Sequence, residues 1–369
     1  MSFVLAAVDG RRVAVNGGSI VPDDDPSAFV VELGDGEIGP GLINGHDHLH
    51  RNHYARLGAP PYANAYDWGD DIHARNADAI VRAAALDRRD ALLFGAFKNL
   101  VSGATTVVHH DPWESAFENG FPVHVPRVRV AHSLRLETDI AARVAGDQET
   151  AGAPLCVHLA EGIDTEAADE IREAKRLGVL DERLVAVHVV GADDDGVDRL
   201  VRARATVAWC PTSNAFLFGR TAPRTLVASA ASVVLGSDSL LTGDGTLLDE
   251  LAVARRLGYV DDATLAAAVG CTAARVFGLA KPSLNAGSGA DIVCLRRPLL
   301  EASLKDVALV IARGRPVVGD PECAALFAHC GVDTDVVVVR GKRTLIDASI
   351  ARVIARVLRA FPEAGRFLS

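Results

Sequence analysis

The chain repeats one pattern after its first forty residues. A short β-branched apolar run is followed by a polar residue of unusual chemistry and then by a helical segment; such runs include TTVVHH at 105–110, LCVHLAE at 155–161 and SVVLGSD at 232–238. Their nearly continuous apolar character is typical of parallel strands that are covered on both faces. Between the runs, segments such as 165–180 and 245–258 return apolar residues at intervals of three and four. This alternation of strand and helix predicts a parallel (β/α)8 barrel of the TIM type.

The two ends of the chain follow a different pattern. Residues 1–39 and 284–345 contain short strand-like runs that are separated by Gly, Pro and Asp turns. We expect both parts to join into one small β domain beside a barrel formed by residues 40–283. Residues 346–369 predict a C-terminal amphipathic helix, either packed on the body of the protein or lying on a membrane surface.

One strand of the expected barrel is hard to place. Between the strand that ends near His110 and the one that ends near His158, only one clear strand is visible, whereas a complete barrel needs two. Either residues 121–134 supply two strands through a tight break, or one βα unit is reduced.

Composition limits the partners of the protein. A net charge of -10 without a basic stripe argues against binding to nucleic acid, and no apolar run approaches the roughly 20 residues that span a membrane. The six cysteines form no C-x-x-C pair and lie mostly in apolar segments, which favours reduced thiols. We therefore expect a cytoplasmic protein that acts on a small-molecule substrate, with a homodimer as the default assembly.

Residues with metal-site chemistry stand at the ends of the predicted strands. In GPGLINGHDHLH at 39–50, His46 and His48 occupy alternate positions and so share one face of a strand. Imidazoles and a carboxylate are the ligands of a hydrolytic metal centre, which also needs separate groups to move protons. Each residue has an ordinary alternative as a solvated or buried histidine, a helix-capping Asp or a surface Glu. The other strand-end residues of this kind are His109, His110, His158, Glu161, His188 and Asp238.

The motifs PGLINGHDH, HLAEG, VAWCPTSN, LGSDSLL, TAARVFGL and GADIV occur in this order between about residues 37 and 320. Together they resemble the amidohydrolase superfamily, in the branch of the cytosine, guanine, S-adenosylhomocysteine and aminofutalosine deaminases and the triazine hydrolases. The resemblance implies a distorted (β/α)8 barrel with a β-sandwich built from both termini. It also implies that Glu161 is the acid/base carboxylate and that His188 orients the reactive water. The metal ligands of the mononuclear members match His46, His48, His158 and Asp238.

The reaction that this resemblance implies is the hydrolytic deamination of an amino-substituted N-heterocycle or nucleoside. One Zn²⁺, or alternatively Fe²⁺, would activate a water, Asp238 would accept its proton, and Glu161 would protonate the substrate ring nitrogen. The resemblance also implies one metal, because the binuclear members hold two with a bridging carboxylated lysine. No lysine stands at a strand end between the second and fifth strands, and Lys98 lies in a helical stretch. Ring opening of a cyclic amide, or displacement of another leaving group, is the alternative; a catalytically inactive binding protein is a more distant one.

The sequence departs from the family in the segments that would contact the substrate. Trp68 either stacks on a flat heterocycle or belongs to the core. Arg135 either binds a substrate carboxylate or phosphate through its guanidinium fork, or pairs with Glu137 or Asp139. His110 and Asn214 are further candidate substrate-binding residues, the latter at the pocket floor.

Overall fold

The computed structural model describes residues 2–118, 120–137, 139–145, 150–243 and 245–369. Its strands are β1 Ser2–Ala6, β2 Arg12–Asn16, β3 Ser19–Val21, β4 Phe29–Glu32, β5 Glu37–Pro40, β6 Leu42–Asp47, β7 Ala104–His109, β8 Arg129–Ser133, β9 Leu155–Leu159, β10 Leu184–His188, β11 Thr206–Trp209, β12 Ser232–Leu235, β13 Ile292–Leu295, β14 Val307–Ala312, β15 Arg315–Gly319, β16 Thr334–Val339 and β17 Lys342–Asp347. Its α-helices are α1 Ala65–Arg75, α2 Ala77–Ala84, α3 Arg88–Leu100, α4 Ile140–Ala145, α5 Thr165–Arg176, α6 Asp194–Ala203, α7 Pro211–Phe218, α8 Arg224–Ser229, α9 Leu247–Leu257, α10 Asp262–Ala268, α11 Cys271–Val276, α12 Ala324–His329 and α13 Ala348–Ala360.

The centre of the molecule is a parallel barrel, which confirms the predicted fold class. Strands β8 to β12 pair in chain order as one parallel sheet, and β6 pairs with β7. The ring closes between β6 and β12, where the backbones approach closely: a Cβ at Gly45 would lie 3.0 Å from the Leu235 carbonyl oxygen. Just beyond β12, the Asp238 N–H donates to the His46 carbonyl at 3.1 Å. The carboxyl ends of the first and last strands therefore lie side by side.

The position between β7 and β8 is occupied by a single parallel bridge from Thr106 to His124. The His124 N–H donates to the Thr105 carbonyl at 2.8 Å, and the His124 carbonyl accepts from Val107 at 2.9 Å. Pro122 and Pro126 flank this point and have no N–H to donate, so the pairing does not extend into a full strand. Of the two options left open by the sequence, the structure shows the reduced βα unit.

Two further sheets are built from both ends of the chain. The first has four strands in the order β3-β2-β1-β4, and the second has six in the order β16-β17-β15-β14-β13-β5. Apolar residues of both sheets, among them Phe3, Leu5, Ile292 and Leu309, form one shared cluster. The domain boundaries after residues 39, 283 and 345 stay a prediction.

The C-terminal helix is shorter than the sequence predicts. Helix α13 ends at Ala360, because the residue before a proline disfavours the helical conformation, and a 3-10 turn over Pro362–Leu368 follows. The segment packs on α3, where Arg356 pairs with Asp90 at 2.6 Å and the Phe367 ring contacts two phenylalanines. Among the described residues, no helix combines the length and the apolar character that crossing a membrane requires.

Candidate active site

The candidate site lies at the carboxyl ends of the barrel strands, where the predicted residues come together. His46 and His48 stand at the end of β6, His158 in β9 and His188 at the end of β10. The backbones of His188 and Asp238 have φ values of 70° and 49°. This is a left-handed conformation that residues other than glycine rarely adopt. Such strain persists only where the surrounding structure holds it, and it concentrates at functional sites.

Four side-chain atoms converge on one point. His158 Nε2 lies 3.4 Å from His46 Nε2 and 3.3 Å from His48 Nε2, and Asp238 Oδ1 lies 3.7 Å from each of these last two nitrogens. Ligands that bind Zn²⁺ tetrahedrally at about 2.0–2.1 Å stand about 3.3–3.4 Å from one another. The spacing and the three-nitrogen, one-oxygen donor set therefore fit a single divalent ion.

The protonation states also fit a metal site. Burial lowers the pKa of His46, His48 and His158 below the ordinary value, so these imidazoles are neutral at pH 7 and keep a lone pair for a metal. Burial alone would raise the pKa of Asp238, but the contact with His46 and the hydrogen bond from Ser213 lower it, and the net shift is downward. Asp238 is therefore ionised.

The hydroxyls of Ser213 and Thr242 donate to Asp238 Oδ2 at 2.6 and 2.8 Å. Because these two bonds occupy one carboxylate oxygen, the other oxygen faces the histidines. Neither hydroxyl was expected from the sequence, although Ser213 lies inside the motif VAWCPTSN.

His188 and Glu161 lie beside the convergent atoms. His188 Nε2 is 3.6 Å from Glu161 Oε1, and the other ring nitrogen, Nδ1, is 2.8 Å from Asn214 Oδ1. An amide oxygen can only accept, so Nδ1 carries the proton and the lone pair of Nε2 points into the site. Burial raises the pKa of Glu161 to about 7, which suits a group that both holds and releases a proton near neutral pH.

Two candidate substrate residues lie behind the site and not in the cavity. Asn214 is completely buried, and its amide nitrogen donates to Thr221 while its oxygen holds His188. His110 is buried as well; its ring stacks on His158 at 4.0 Å and its Nε2 donates to the Ala131 carbonyl at 3.1 Å. The structure thus places both residues against imidazoles of the site, and neither of them lines the cavity.

The other two candidates line a cavity of about 480 Å³ above the convergent atoms. Trp68 belongs to an apolar wall that also includes Tyr54 and Leu241. Arg135 pairs with Glu166 and stacks over the Tyr66 ring at 4.6 Å. The ion-pair partner of Arg135 is therefore neither Glu137 nor Asp139. The sequence did not indicate Glu166, because that residue belongs to a different βα unit.

A buried polar network behind the site was missed by the sequence reasoning. Asp47 is fully buried and accepts from Asn99 at 2.9 Å and from Lys98 Nζ at 3.1 Å. The same ammonium donates to the Asp238 carbonyl at 2.7 Å and to Asn52 Oδ1 at 3.0 Å. The strand alternation could have indicated that Asp47 points away from the face of His46 and His48. The alternation could not have indicated that Lys98, which belongs to α3, is the partner of Asp47.

His132, at the end of β8, was also missed. Its Nδ1 lies 3.0 Å from Nδ1 of His158, whose Nε2 faces the convergent point. A histidine that binds metal commonly donates its second ring N–H to a neighbour, which fixes the ring orientation. His132 is therefore an orienting partner of His158, and the strand ending VRVAHS was the signal for it.

A second group of donor atoms, from His50, His109 and Asp111, also lies within 4.8 Å. Arg88 already pairs with Asp111 at 2.9 Å and brings a positive charge to this group. The Leu49 N–H donates to His109 Nδ1 at 3.3 Å, which occupies one of the two nitrogens of that ring. We assign no metal to it.

The barrel and the donor set at its carboxyl end define the class of metal-dependent hydrolases. Residues 130–343, more than half of the chain, match the amidohydrolase family. The chain belongs to the amidohydrolase family, as the sequence motifs predicted.

Curated relatives are 5-methylthioadenosine/S-adenosylhomocysteine deaminases. That of Moorella thermoacetica is 27% identical over 311 residues, which cover 78% of this chain and 67% of the relative. That of Pyrococcus abyssi is 27% identical over 184 residues, which cover 48% of this chain and 41% of the relative. The matched part of the chain thus spans about two thirds of one relative and less than half of the other.

Solved structures share the fold over nearly the whole chain. An atrazine chlorohydrolase from Arthrobacter aurescens, complexed with zinc, has a TM-score of 0.70 at 16% identity and covers 98% of this chain and 100% of its own. An adenosine deaminase from Xanthomonas campestris with bound zinc has a TM-score of 0.65 at 18% identity. The match covers 96% of this chain and 93% of the deaminase. At these identities the likeness establishes the architecture.

Proposed function

We propose that the protein catalyses the hydrolytic deamination of an amino-substituted N-heterocycle or nucleoside, with one divalent metal ion as cofactor. The observation that carries the proposal is the convergence of three neutral imidazoles and one carboxylate beside a carboxyl group with a pKa of about 7. The deaminase names of the curated relatives support the same reaction.

His46, His48, His158 and Asp238 would hold the ion. Zn²⁺ is the cofactor we propose, since it suits nitrogen-rich tetrahedral sites and binds such donors more tightly than Fe²⁺. The ion, when bound, supplies a water whose pKa is lowered from 15.7 towards about 7.

The residues around the donor set handle the protons and the orientation. Asp238 is ionised and placed to accept a proton, while Ser213 and Thr242 hold its second oxygen. His188 presents a lone pair at Nε2 and is fixed by Asn214, so it orients the attacking oxygen. Glu161 lines the cavity, protonates the substrate ring nitrogen and then delivers a proton to the departing amine.

The experiment that tests this proposal measures ammonia release from a panel of amino-purines, amino-pyrimidines, pterins and adenosine derivatives. Wild type and His158→Ala are compared after loading with zinc, and the metal content of each is measured. We expect about one zinc per chain and ammonia from at least one compound in the wild type, with both lost in the variant. One zinc per chain with no ammonia from any compound would instead favour ring opening or another leaving group. Wild type that retains no metal would favour a binding protein.

A small-molecule substrate follows from the cavity and the proposed reaction. The cytoplasmic location, the homodimer and the absence of nucleic-acid and membrane partners stay predictions.

A further inference from the structure

The cavity above the proposed metal site has walls of two kinds. Tyr54, Trp68, Ile72 and Leu241 form an apolar wall. Arginine side chains also line the cavity, and Arg51 lies closest along the chain to the proposed ligands. A volume of about 480 Å³ is within the range that holds a heterocycle together with a substituent.

Arg51 is held next to the metal-binding strand end. It closes the 3-10 turn Leu49–Arg51, in which its backbone N–H donates to the His48 carbonyl at 2.8 Å. Arg51 lines the cavity together with His48 and His132, which stand at the ends of two different strands. The side chain is half-buried.

The guanidinium of Arg51 has no hydrogen-bond or ion-pair partner among the described residues, unlike the other arginine of the cavity. Arg135 is neutralised by Glu166. Asp111, an acidic group near the turn, is bound by Arg88 at 2.9 Å and faces His50 at 3.7 Å. A guanidinium has five donors and no acceptor, so its natural ligand is a group that accepts several hydrogen bonds.

We propose that Arg51 binds an anionic group of the substrate, a carboxylate or a phosphate, and so selects anionic amino-heterocycles or nucleotides over neutral ones. The planar guanidinium fork matches either anion with two parallel hydrogen bonds, which gives direction as well as charge. This inference rests on the proposed deaminase function for its substrate class, and it adds the charge that the substrate carries.

The test compares substrates that differ only in an anionic group. Adenosine is paired with adenosine 5′-monophosphate, and pterin with pterin-6-carboxylate, so that the phosphate and the carboxylate are distinguished. Ammonia release gives kcat and KM for zinc-loaded wild type, Arg51→Gln and Arg51→Lys. Arg75→Gln is the matched control, because Arg75 is exposed on α1, whose residues line the cavity, and already pairs with Asp71 at 2.7 Å.

We expect wild type to prefer the anionic member of at least one pair by about tenfold or more in kcat/KM. Arg51→Gln is expected to remove that preference mainly through KM and to leave the neutral member within about threefold. Arg51→Lys keeps the charge without the fork and is expected to recover part of the preference. Arg75→Gln is expected to match wild type. Equal use of both members by wild type, or a preference that survives in Arg51→Gln, would overturn the proposal.

Binding of the same four compounds to the zinc-loaded proteins, measured by calorimetry, separates this inference from the proposed function. Tighter binding of an anionic member that depends on Arg51, without ammonia release, would support the anion site and count against deamination. Ammonia release from the neutral members alone, with no Arg51-dependent binding of the anions, would support deamination and refute the anion site.

Discussion

Replacing Lys98 with methionine tests whether the buried network behind the site holds it in place. The Lys98 side chain is completely buried, and its ammonium donates to Asp47, Asn52 and the Asp238 carbonyl at 2.7–3.1 Å. Methionine fills a similar volume but donates no hydrogen bond, so the buried Asp47 carboxylate loses its cationic partner.

The expected loss of stability follows from this burial. Removing one partner of a buried ion pair costs about 3–5 kcal/mol, because the remaining charge stays without compensation. A chain of 369 residues has an unfolding entropy of about 0.8 kcal/mol/K, so the melting temperature should fall by about 4–6 °C. The Asp238 carbonyl also loses its donor, and metal affinity should therefore fall by about 10–100-fold.

Urea unfolding of the metal-free proteins measures the change in the free energy of unfolding without a contribution from bound metal. Lys175→Met is the control, since Lys175 is an exposed helical lysine and its replacement should cost less than about 0.5 kcal/mol. Combining Lys98→Met with Asp47→Asn removes both charges and should recover at least half of the loss. A loss below about 1 kcal/mol in Lys98→Met, or a double variant as unstable as the two single losses added together, would refute the reasoning.

Three further predictions concern single groups. Glu161→Gln should lower kcat about 10²–10⁴-fold at unchanged zinc content, and a variant as fast as wild type would remove the acid/base assignment. Asn214→Ala should lower kcat about 10–100-fold with zinc retained, because His188 loses the acceptor that fixes its tautomer; metal analysis and steady-state rates check both points. Burial raises the pKa of Glu250 from 4.5 to about 8, so the folded protein holds the extra proton and stability falls as pH rises from about 4.5 to 8. Glu250→Gln should therefore gain stability relative to wild type at pH 8.5 but not at pH 4.5, as measured by urea unfolding; equal effects at both pH values would contradict the shift.

The barrel and the strand-end residues were predictable because their signals are local. A β-branched run followed by a helical period indicates a βα unit wherever it occurs, and the carboxyl ends of parallel strands meet at one edge. His46, His48, His158, His188 and Asp238 could thus be expected together before any distance was known, and the structure brings their side chains together. The reduced unit at His124 was uncertain, because one bridge between two prolines leaves almost no periodic pattern.

The sequence by itself determined which chemical groups the protein carries and at which strand ends they stand. Only the tertiary structure decided which groups support them: Lys98 reaches Asp47 across 51 positions, and His132 meets His158 across 26. It also placed Asn214 and His110 outside the cavity lining, and it left the Arg51 guanidinium in the cavity without a partner in the part of the chain that the structure describes. The physical reason is that strand and helix periods depend on neighbouring residues, whereas the pairing of buried polar groups depends on how the closed barrel brings distant segments together.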